Sequence, residues 1–574
     1  MWWIKNPDRF KREVVAIDAL RERQTWLSMA TARLIKDGLQ LYFDFDVVVN
    51  DETFPFTLKY PSYFPETPPV VIPRDGRRLS DHQYGDGGEL CLEYRSDNWD
   101  PSVTGSMMIE STHRLLSQER PTRDERAVVP SVHYSSVGQQ LRTSSCRFLL
   151  TPAFLAYATS LPVGASRDAT IIEIVAPKKI WTAYVASVGS TAEPDWRENE
   201  IPDRGRAGER GILLRVGSLE DLPSDQQALQ RFFAASLLLN STPPTADNDA
   251  LHFFVIVDAT SARMFYSFAK DGEPIVIRYN TVDFAHDPPG RLPESYGVLS
   301  QRKVGIVGCG SLGSKIAASL ARSGVRAFVL VDDDIMMPGN LIRHELDADS
   351  LGAHKAEALE ARLKALAVGV DISVRRVSLG GQEASGGTAS VLDELAGCDL
   401  IIDATADAQA FNFVASVARN ALRPMIWAEV YAGGIGGFVA RLRPGKEPPP
   451  HSARRQYLAW CRQQGVPWRG LDRDYSGSGS RQEALTADDS DVMVIAAYTT
   501  RMATDALVRP STSLFPHPAY VIGLSREWIF TEPFDTRAID FVEDGHWQNV
   551  PAPEKMAEAI DLISSLIDKG GRVD

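Results

Sequence analysis

Six residues, Gly308-Cys309-Gly310-Ser311-Leu312-Gly313, follow the apolar run "KVGIV" and open the helical pattern "SKIAASLARSG". Glycines at this spacing permit a tight turn and a close backbone approach to phosphate. The helix start that follows offers unpaired N–H groups and a positive dipole end. Asp332 closes the next apolar run, about 20 residues on, where a carboxylate takes a ribose hydroxyl pair. This fingerprint serves NAD, FAD and ATP alike. The next residues separate them, because Asp334, Asn340, Arg343 and Lys355 crowd behind the ribose carboxylate. A dehydrogenase leaves an arginine and a lysine here without a task. In an enzyme of triphosphates, Arg343 holds phosphate oxygens in a bidentate way, and Lys355 follows the charge as the α-phosphate is attacked. Asp403 and Asp407, in "DLIIDATADAQ", are both candidates to hold Mg²⁺. Charges on a solvated helix are the plainer reading of Arg343 and Lys355.

Nucleophiles are few. There are five cysteines, none in a CxxC pair and none spaced with histidine for structural zinc. Cys91 lies in "DGGELCLEY", after a glycine turn and inside a short apolar alternation, where burial alone explains it as well as reactivity does. Cys309 sits within the glycine turn, and Cys398 precedes an apolar strand. Cys461, in "YLAWCRQQG", falls on an amphipathic helical pattern. Arg462 beside it is positioned in sequence to lower its pKa, and packing is the plainer role. Ser476 and Ser478, in "YSGSGS", are hydroxyl candidates that need a general base. A Gly/Ser linker is their plainer reading.

The elements that must position these groups fall into three stretches. Residues 1–125 read as helix, alternating strands ("LQLYFDFDVVV", "FPFTLKY"), a proline-rich corner ("YPSYFPETPPVV"), the Cys91 loop and a helix around "SMMIESTHRLL", an α+β unit. Within the opening helix, Phe10, Val14, Ile17 and Leu20 mark the apolar face. Residues 126–295 carry strand-like pieces such as "ATIIEIVAP" and "LHFFVIVDA" between polar stretches. They read as a connecting domain of mixed structure. Residues 296–574 alternate strand and helix as a Rossmann-like, doubly wound α/β domain with a loop inserted near 450–490. An apolar fraction of 44% with 24% charged residues is that of an ordinary globular chain. A net charge of −14 argues against nucleic acid as a partner. The first residues lack the apolar core of a signal peptide, and no apolar run approaches the roughly 20 residues of a membrane span. The expectation is a cytoplasmic protein with no membrane partner.

The string "GCGSLGS…VDDD…NLIRH…LGAHKA…DAT" resembles the adenylation domain of ubiquitin-activating (E1) enzymes and their ThiF/MoeB-type bacterial relatives. The resemblance implies ATP and Mg²⁺, with Asp332 on the ribose, Asn340, Arg343 and Lys355 on phosphates, and an aspartate of "DATAD" on the metal. The family's aspartate is displaced by one place here, so Asp403 and Asp407 stay open. The implied reaction is attack of a small protein's C-terminal carboxylate on the ATP α-phosphate.

The stretch from Tyr60-Pro61 through Pro68-Pro69, His82, Leu90-Cys91-Leu92, Trp99 and Pro101 to Leu115-Leu116 resembles a ubiquitin-conjugating (E2, UBC-like) domain. It implies Cys91 as acyl acceptor. The family's His-Pro-Asn turn is His82-Gln83-Tyr84 here, and His82 or Tyr84 would have to substitute for its asparagine. Bacterial E1-like chains often carry Cys-Gly where this chain has the Ser476–Ser480 run. The relay is therefore Ser476, Ser478, Cys461 or none. Together the resemblances imply a fused E2–E1-like enzyme that conjugates a ubiquitin-like protein to a target, as in anti-phage defence operons. A homodimer is implied, with Arg291 reaching a phosphate across it and a deconjugating peptidase of the same operon as a further partner. The alternatives are a sulfur-carrier-protein adenylyltransferase and a partly inactive module that binds a ubiquitin-like protein.

Overall fold

The computed structural model describes residues 1–35, 40–80, 82–84, 87–120, 137–142, 144–176, 179–201, 207–223, 226–239, 252–270, 273–283, 291–381, 383–465, 487–547 and 553–569. The chain forms two compact units, Met1–Thr143 and Ser144–Asp574.

The first unit opens with helices α1 (Trp2–Lys5) and α2 (Pro7–Arg23). Strands β1 (Leu27–Ile35), β2 (Gln40–Val49), β3 (Glu52–Lys59) and β4 (Val70–Pro73) form an antiparallel meander in that order. In β2 the alternate residues Leu41, Phe43, Phe45, Val47 and Val49 are buried, as the period of a pleated strand requires. A hairpin of β5 (Gln83–Tyr84) and β6 (Glu89–Leu90) follows, then α3 (Gly105–Glu119) and α4 (Val137–Gln140). Helix α3 buries Met108, Ile109, Thr112, Leu115 and Leu116, which recur on one helical face. On α2, Ile17 and Leu20 are buried, and Phe10 and Val14 pack against the same core.

The second unit begins with a mixed sheet. Its strands are β7 (Cys146–Leu150), β8 (Ser166–Ala176), β9 (Ile180–Gly189), β10 (Pro194–Arg197), β11 (Glu209–Arg215), β12 (His252–Val257), β13 (Ala262–Lys270) and β14 (Glu273–Asp283). Their order is β10-β9-β7-β14-β13-β12-β11-β8, and β8 also pairs with β9, which closes the pairings into a ring. Helix α5 (Pro152–Ser160) packs on one face of this sheet and α6 (Gln226–Leu239) on the other.

A second sheet carries the glycine turn. Strands β15 (Lys303–Val307), β16 (Ala327–Val331), β17 (Asp371–Arg375), β18 (Leu400–Asp403) and β19 (Met425–Val430) are parallel, in the order β17-β16-β15-β18-β19. Strands β20 (Gly436–Leu442), β21 (Ala519–Gly523) and β22 (Thr536–Ile539) extend it antiparallel. Helices α7 (Ser311–Ser323), α8 (Lys355–Leu366), α9 (Ser385–Ala396), α10 (Ala408–Asn420), α11 (Pro450–Gln463) and α12 (Asp489–Val508) belong to this part, and α13 (Pro553–Lys569) follows it. Two apolar cores lie on the two sheet faces. Strand order reverses at β15, so the ends of β15, β16 and β18 leave the crevice in which doubly wound sheets bind ligands. No helix among the described residues is long and apolar enough to cross a membrane.

Candidate functional site

The crevice holds a cavity of ≈ 390 Å³, lined by Gly308, Gly310, Asp332, Asp333, Asp334, Thr405 and Asp407 among others. The turn at its floor is tied to both neighbouring strands. Gly308 N–H donates to the Val331 carbonyl (2.9 Å), and Ala404 N–H donates to the Val307 carbonyl (2.9 Å). Gly308 has φ +87°, a conformation open to glycine. Gly310 is the N-cap of α7, and a Cβ there would meet nothing within 4 Å. A Cβ on Gly313 would fall 1.8 Å from the Gly308 carbonyl oxygen. The three sequence-selected glycines therefore differ. Gly308 and Gly310 face the cavity, while Gly313 lets helix and turn approach each other.

Asp332 accepts from Cys309 N–H (2.6 Å) and Asp334 N–H (2.9 Å), so its carboxyl braces the turn and the following loop. Burial raises its pKa against those hydrogen bonds. Asp334 is ion-paired with Lys355, a side chain only 9% exposed. Desolvation alone would raise Asp334, yet the hydrogen bond and charge of Lys355 hold it below the ordinary carboxylate value. Asn340 Oδ1 accepts from Met337 N–H (2.8 Å) and so shapes the turn Pro338–Ile342. Arg343 ends that turn half-buried, and among the described residues its guanidinium has no hydrogen bond or ion pair.

Reading the sequence passed over His344. Its Nδ1 accepts from Leu346 N–H (3.1 Å), so its Nε2–H donates to the Cys309 carbonyl (2.9 Å). Burial is the main cause that lowers its pKa to about 4, so it is neutral near pH 7 and clamps the Gly308–Gly310 turn to the Arg343 loop. The histidine closing "NLIRH" was the available signal. Lys315, on α7, is also buried and pairs with Asp489 at 2.8 Å, which joins the first turns of α7 and α12.

Asp403 and Asp407 are placed differently. Asp403 is 1% exposed, and its Oδ1 accepts from Thr405 N–H (3.0 Å) and Thr405 Oγ1–H (2.7 Å). Burial pushes its carboxyl up to about 6. Asp407 lines the cavity, and its Oδ1 caps α10 by accepting from Gln409 N–H (2.7 Å) and Ala410 N–H (2.8 Å). Mg²⁺ takes one or two carboxylates and fills its shell with phosphate oxygens and water. Among the described residues no group of three acidic, His or Cys side chains forms a closed metal cage. An exposed Asp407 on a cavity beside a phosphate-type turn fits the open kind of site.

Cys461 is 2% exposed on α11, beside the Tyr431–Tyr457 hydroxyl pair (2.7 Å) and Glu429. Burial raises its thiol pKa, and Arg462 does not lower it. Consecutive helical residues do not face each other, and Arg462 is exposed while Cys461 is inside. Ser476 and Ser478 lie outside the described residues.

In the first unit, Cys91 stands between buried Leu90 and Leu92 and is itself half-buried. Its N–H donates to the His82 carbonyl (2.7 Å). Burial raises its thiol pKa against the pull of Arg95. The brace of this hairpin is Gln83. Its Oε1 accepts from Leu79 N–H and from Ser80 N–H (2.9 Å), and its Nε2–H donates to the Gly88 carbonyl (2.9 Å). His82 and Tyr84, the two candidates offered by the sequence, flank Gln83 in this turn. Trp99 Nε1–H donates to the Pro65 carbonyl (2.7 Å), which ties the loop after Cys91 to the proline-rich corner.

Comparison with known proteins bears on the C-terminal region. Residues 292–511 match the ThiF family, so the C-terminal region carries a ThiF/E1-like adenylation domain. Among curated proteins, the chain is 36% identical over 127 residues to the ATP-dependent ubiquitin transferase-like protein Cap2 of Enterobacter hormaechei subsp. hoffmannii, covering 22% of this chain and 20% of that one. It is 32% identical over 140 residues to the SAMP-activating enzyme E1 of Haloferax volcanii, covering 24% and 49%. It is 27% identical over 255 residues to the protein y4qC of Sinorhizobium fredii, covering 42% of each chain. The matches span less than half the length of these relatives.

Proposed function

We propose that this protein activates the C-terminal carboxylate of a ubiquitin-like protein with ATP and passes the acyl group to Cys91 for conjugation to a target. The observation that carries the reading is the grouping around one cavity of the Gly308–Gly310 turn, Asp332, the Asp334–Lys355 pair and Asp407. Asp332 is assigned to the ribose hydroxyls. Arg343 and Lys355 are assigned to the phosphates, where Lys355 exchanges Asp334 for the charge that develops on the α-phosphate. Asn340 holds the loop that carries Arg343. Asp407 would hold Mg²⁺, which when bound neutralises charge on the phosphates.

A carboxylate oxygen of the ubiquitin-like protein attacks the α-phosphorus. The bond to the bridging oxygen of pyrophosphate breaks, and an acyl adenylate forms. The Cys91 thiol gives its proton to solvent, the resulting thiolate attacks the acyl carbon, and AMP leaves. A target amine then displaces the thiol. Cys461 is too buried for a relay, so the intermediate carrier is Ser476 or Ser478, or transfer is direct. Holding both activities on one chain makes the second transfer intramolecular, at an effective concentration of about millimolar for a linker that spans the sites. The adenylating domains are proposed to pair as a homodimer, and the setting to be a bacterial anti-phage conjugation system. Similarity to Cap2 and to the SAMP-activating enzyme supports the ubiquitin-like substrate.

The test is ATP–pyrophosphate exchange with a candidate ubiquitin-like protein. Exchange that depends on that protein and is lost in Lys355→Ala is the expected result. Exchange unaffected by Lys355→Ala, or absent throughout, would overturn the assignment. A sulfur-carrier activator would give exchange but no adduct on Cys91. A non-catalytic module would give neither.

A further inference from the structure

A second cavity, of ≈ 400 Å³, lies on the first sheet of the Ser144–Asp574 unit and shares no lining residue with the nucleotide cavity. Its floor is the hairpin of β13 and β14. Phe265 stands opposite Arg278 in the register, and Ser267 opposite Val276, so Arg263, Phe265, Val276 and Arg278 share one face. Leu219, Glu220, Leu222 and Pro223 form one wall, and Leu229 of α6 contributes to the other.

The two arginines are therefore diagonal neighbours on one face, close enough for their charges to interact, with Phe265 and Val276 beside them. Arg263 is held in place, because its Nη1–H donates to the Leu219 carbonyl (3.0 Å). Arg278 has no hydrogen bond and no ion pair among the described residues. Glu220, the one carboxylate lining this cavity, is ion-paired with neither arginine among the described residues. Burial and the like charge of Arg263 both disfavour the Arg278 cation. Like-charged guanidinium groups on a partly dehydrated surface are stabilised by an anion that takes both, and planar guanidinium suits the paired oxygens of carboxylate or phosphate. The volume is that of a small-molecule pocket.

We propose that this cavity binds a small molecule carrying a carboxylate or phosphate on an apolar body. The oxyanion lies between Arg263 and Arg278, and the body lies on Leu222, Pro223, Leu229 and Val276. The site is separate from the adenylation chemistry and does not depend on it.

Phenyl phosphate and phenylacetate, with benzyl alcohol as the neutral control, test this on the full chain by ligand-observed NMR titration. The expected result is saturable binding of at least one anion and none of the alcohol. Binding should weaken at least about tenfold in Arg278→Leu, recover in part in Arg278→Lys, and persist under saturating ATP with Mg²⁺. The preferred anion identifies phosphate or carboxylate as the natural group. Part of the Arg278 side chain remains in solvent, so its variants should retain the fold, and an unchanged melting temperature checks this. Arg263→Lys keeps the charge but loses the fixed fork, and should weaken binding less than Arg278→Leu. Absence of saturable anion binding, binding unchanged in Arg278→Leu, or displacement by ATP would each overturn the proposal.

Discussion

Asp403 ends β18 and Asp407, four residues on, caps α10, and the fold gives them opposite surroundings. Asp403 is enclosed and bonded to Thr405, while Asp407 caps α10 at the cavity. Asp407→Ala should lower pyrophosphate exchange at least about a hundredfold, the scale on which removing a group that stabilises transition-state charge acts. Circular dichroism should show the fold retained, with a modest loss from the missing cap. Near Asp403 lies Glu429, whose carboxyl is raised to about 7, first by burial and then by the Asp403 charge. A raised carboxyl holds its proton in the folded state at pH values where the unfolded chain has released it. Stability therefore falls as pH rises from the unfolded value through about 7. Glu429→Gln should flatten that slope, and its melting temperature should exceed that of the parent at pH 8 while the two converge near pH 4. Sequence alone left Asp403 and Asp407 undecided because the motif is offset by one place. The choice depends on which carboxyl the turn after β18 encloses, a matter of backbone path rather than residue type.

At the scale of elements, the strand–glycine turn–helix unit was legible because its periods and its glycines agree. What the glycines do individually was not, since it depends on what lies opposite each missing Cβ. Gly313→Ala should lower the melting temperature by several degrees and abolish nucleotide binding, because the new carbon collides with the Gly308 carbonyl. Gly310→Ala should leave the melting temperature unchanged and weaken ATP binding, measured by calorimetry, because its carbon enters open space on the cavity. The first unit rests on a buried knot. Glu13 accepts from Tyr60 O–H (2.6 Å) and Gly105 N–H (2.6 Å) and pairs with Arg9 at 2.9 Å. Glu13→Ala strands a buried cation and should cost roughly 3–5 kcal/mol, read as lost hydrogen-exchange protection in α2 and α3. Tyr60→Phe should cost about 1–2 kcal/mol. This knot joins residues far apart in sequence, so no local pattern announces it. The closed ring of β7–β9 and β11–β14 was equally hidden. Strand β9 buries Ala183, Tyr184 and Val185 in succession, so it lacks the two-residue period that marks a half-buried strand, and β14, "EPIVIRYNTVD", carries charge at both ends and at Arg278.

At the scale of the whole molecule, a ThiF/E1-like adenylation domain shares a chain with a unit that presents one half-buried cysteine behind a braced hairpin. The ordered Tyr60–Leu116 features made Cys91 legible as a candidate, and the structure adds Gln83 as the brace of its loop. The most direct measurement incubates the protein with ATP, Mg²⁺ and the proposed ubiquitin-like substrate, then compares non-reducing and reducing gels. The account predicts a thiol-sensitive adduct in the parent that disappears in Cys91→Ala while pyrophosphate exchange continues. An adduct that persists in Cys91→Ala with unchanged thiol sensitivity would contradict it.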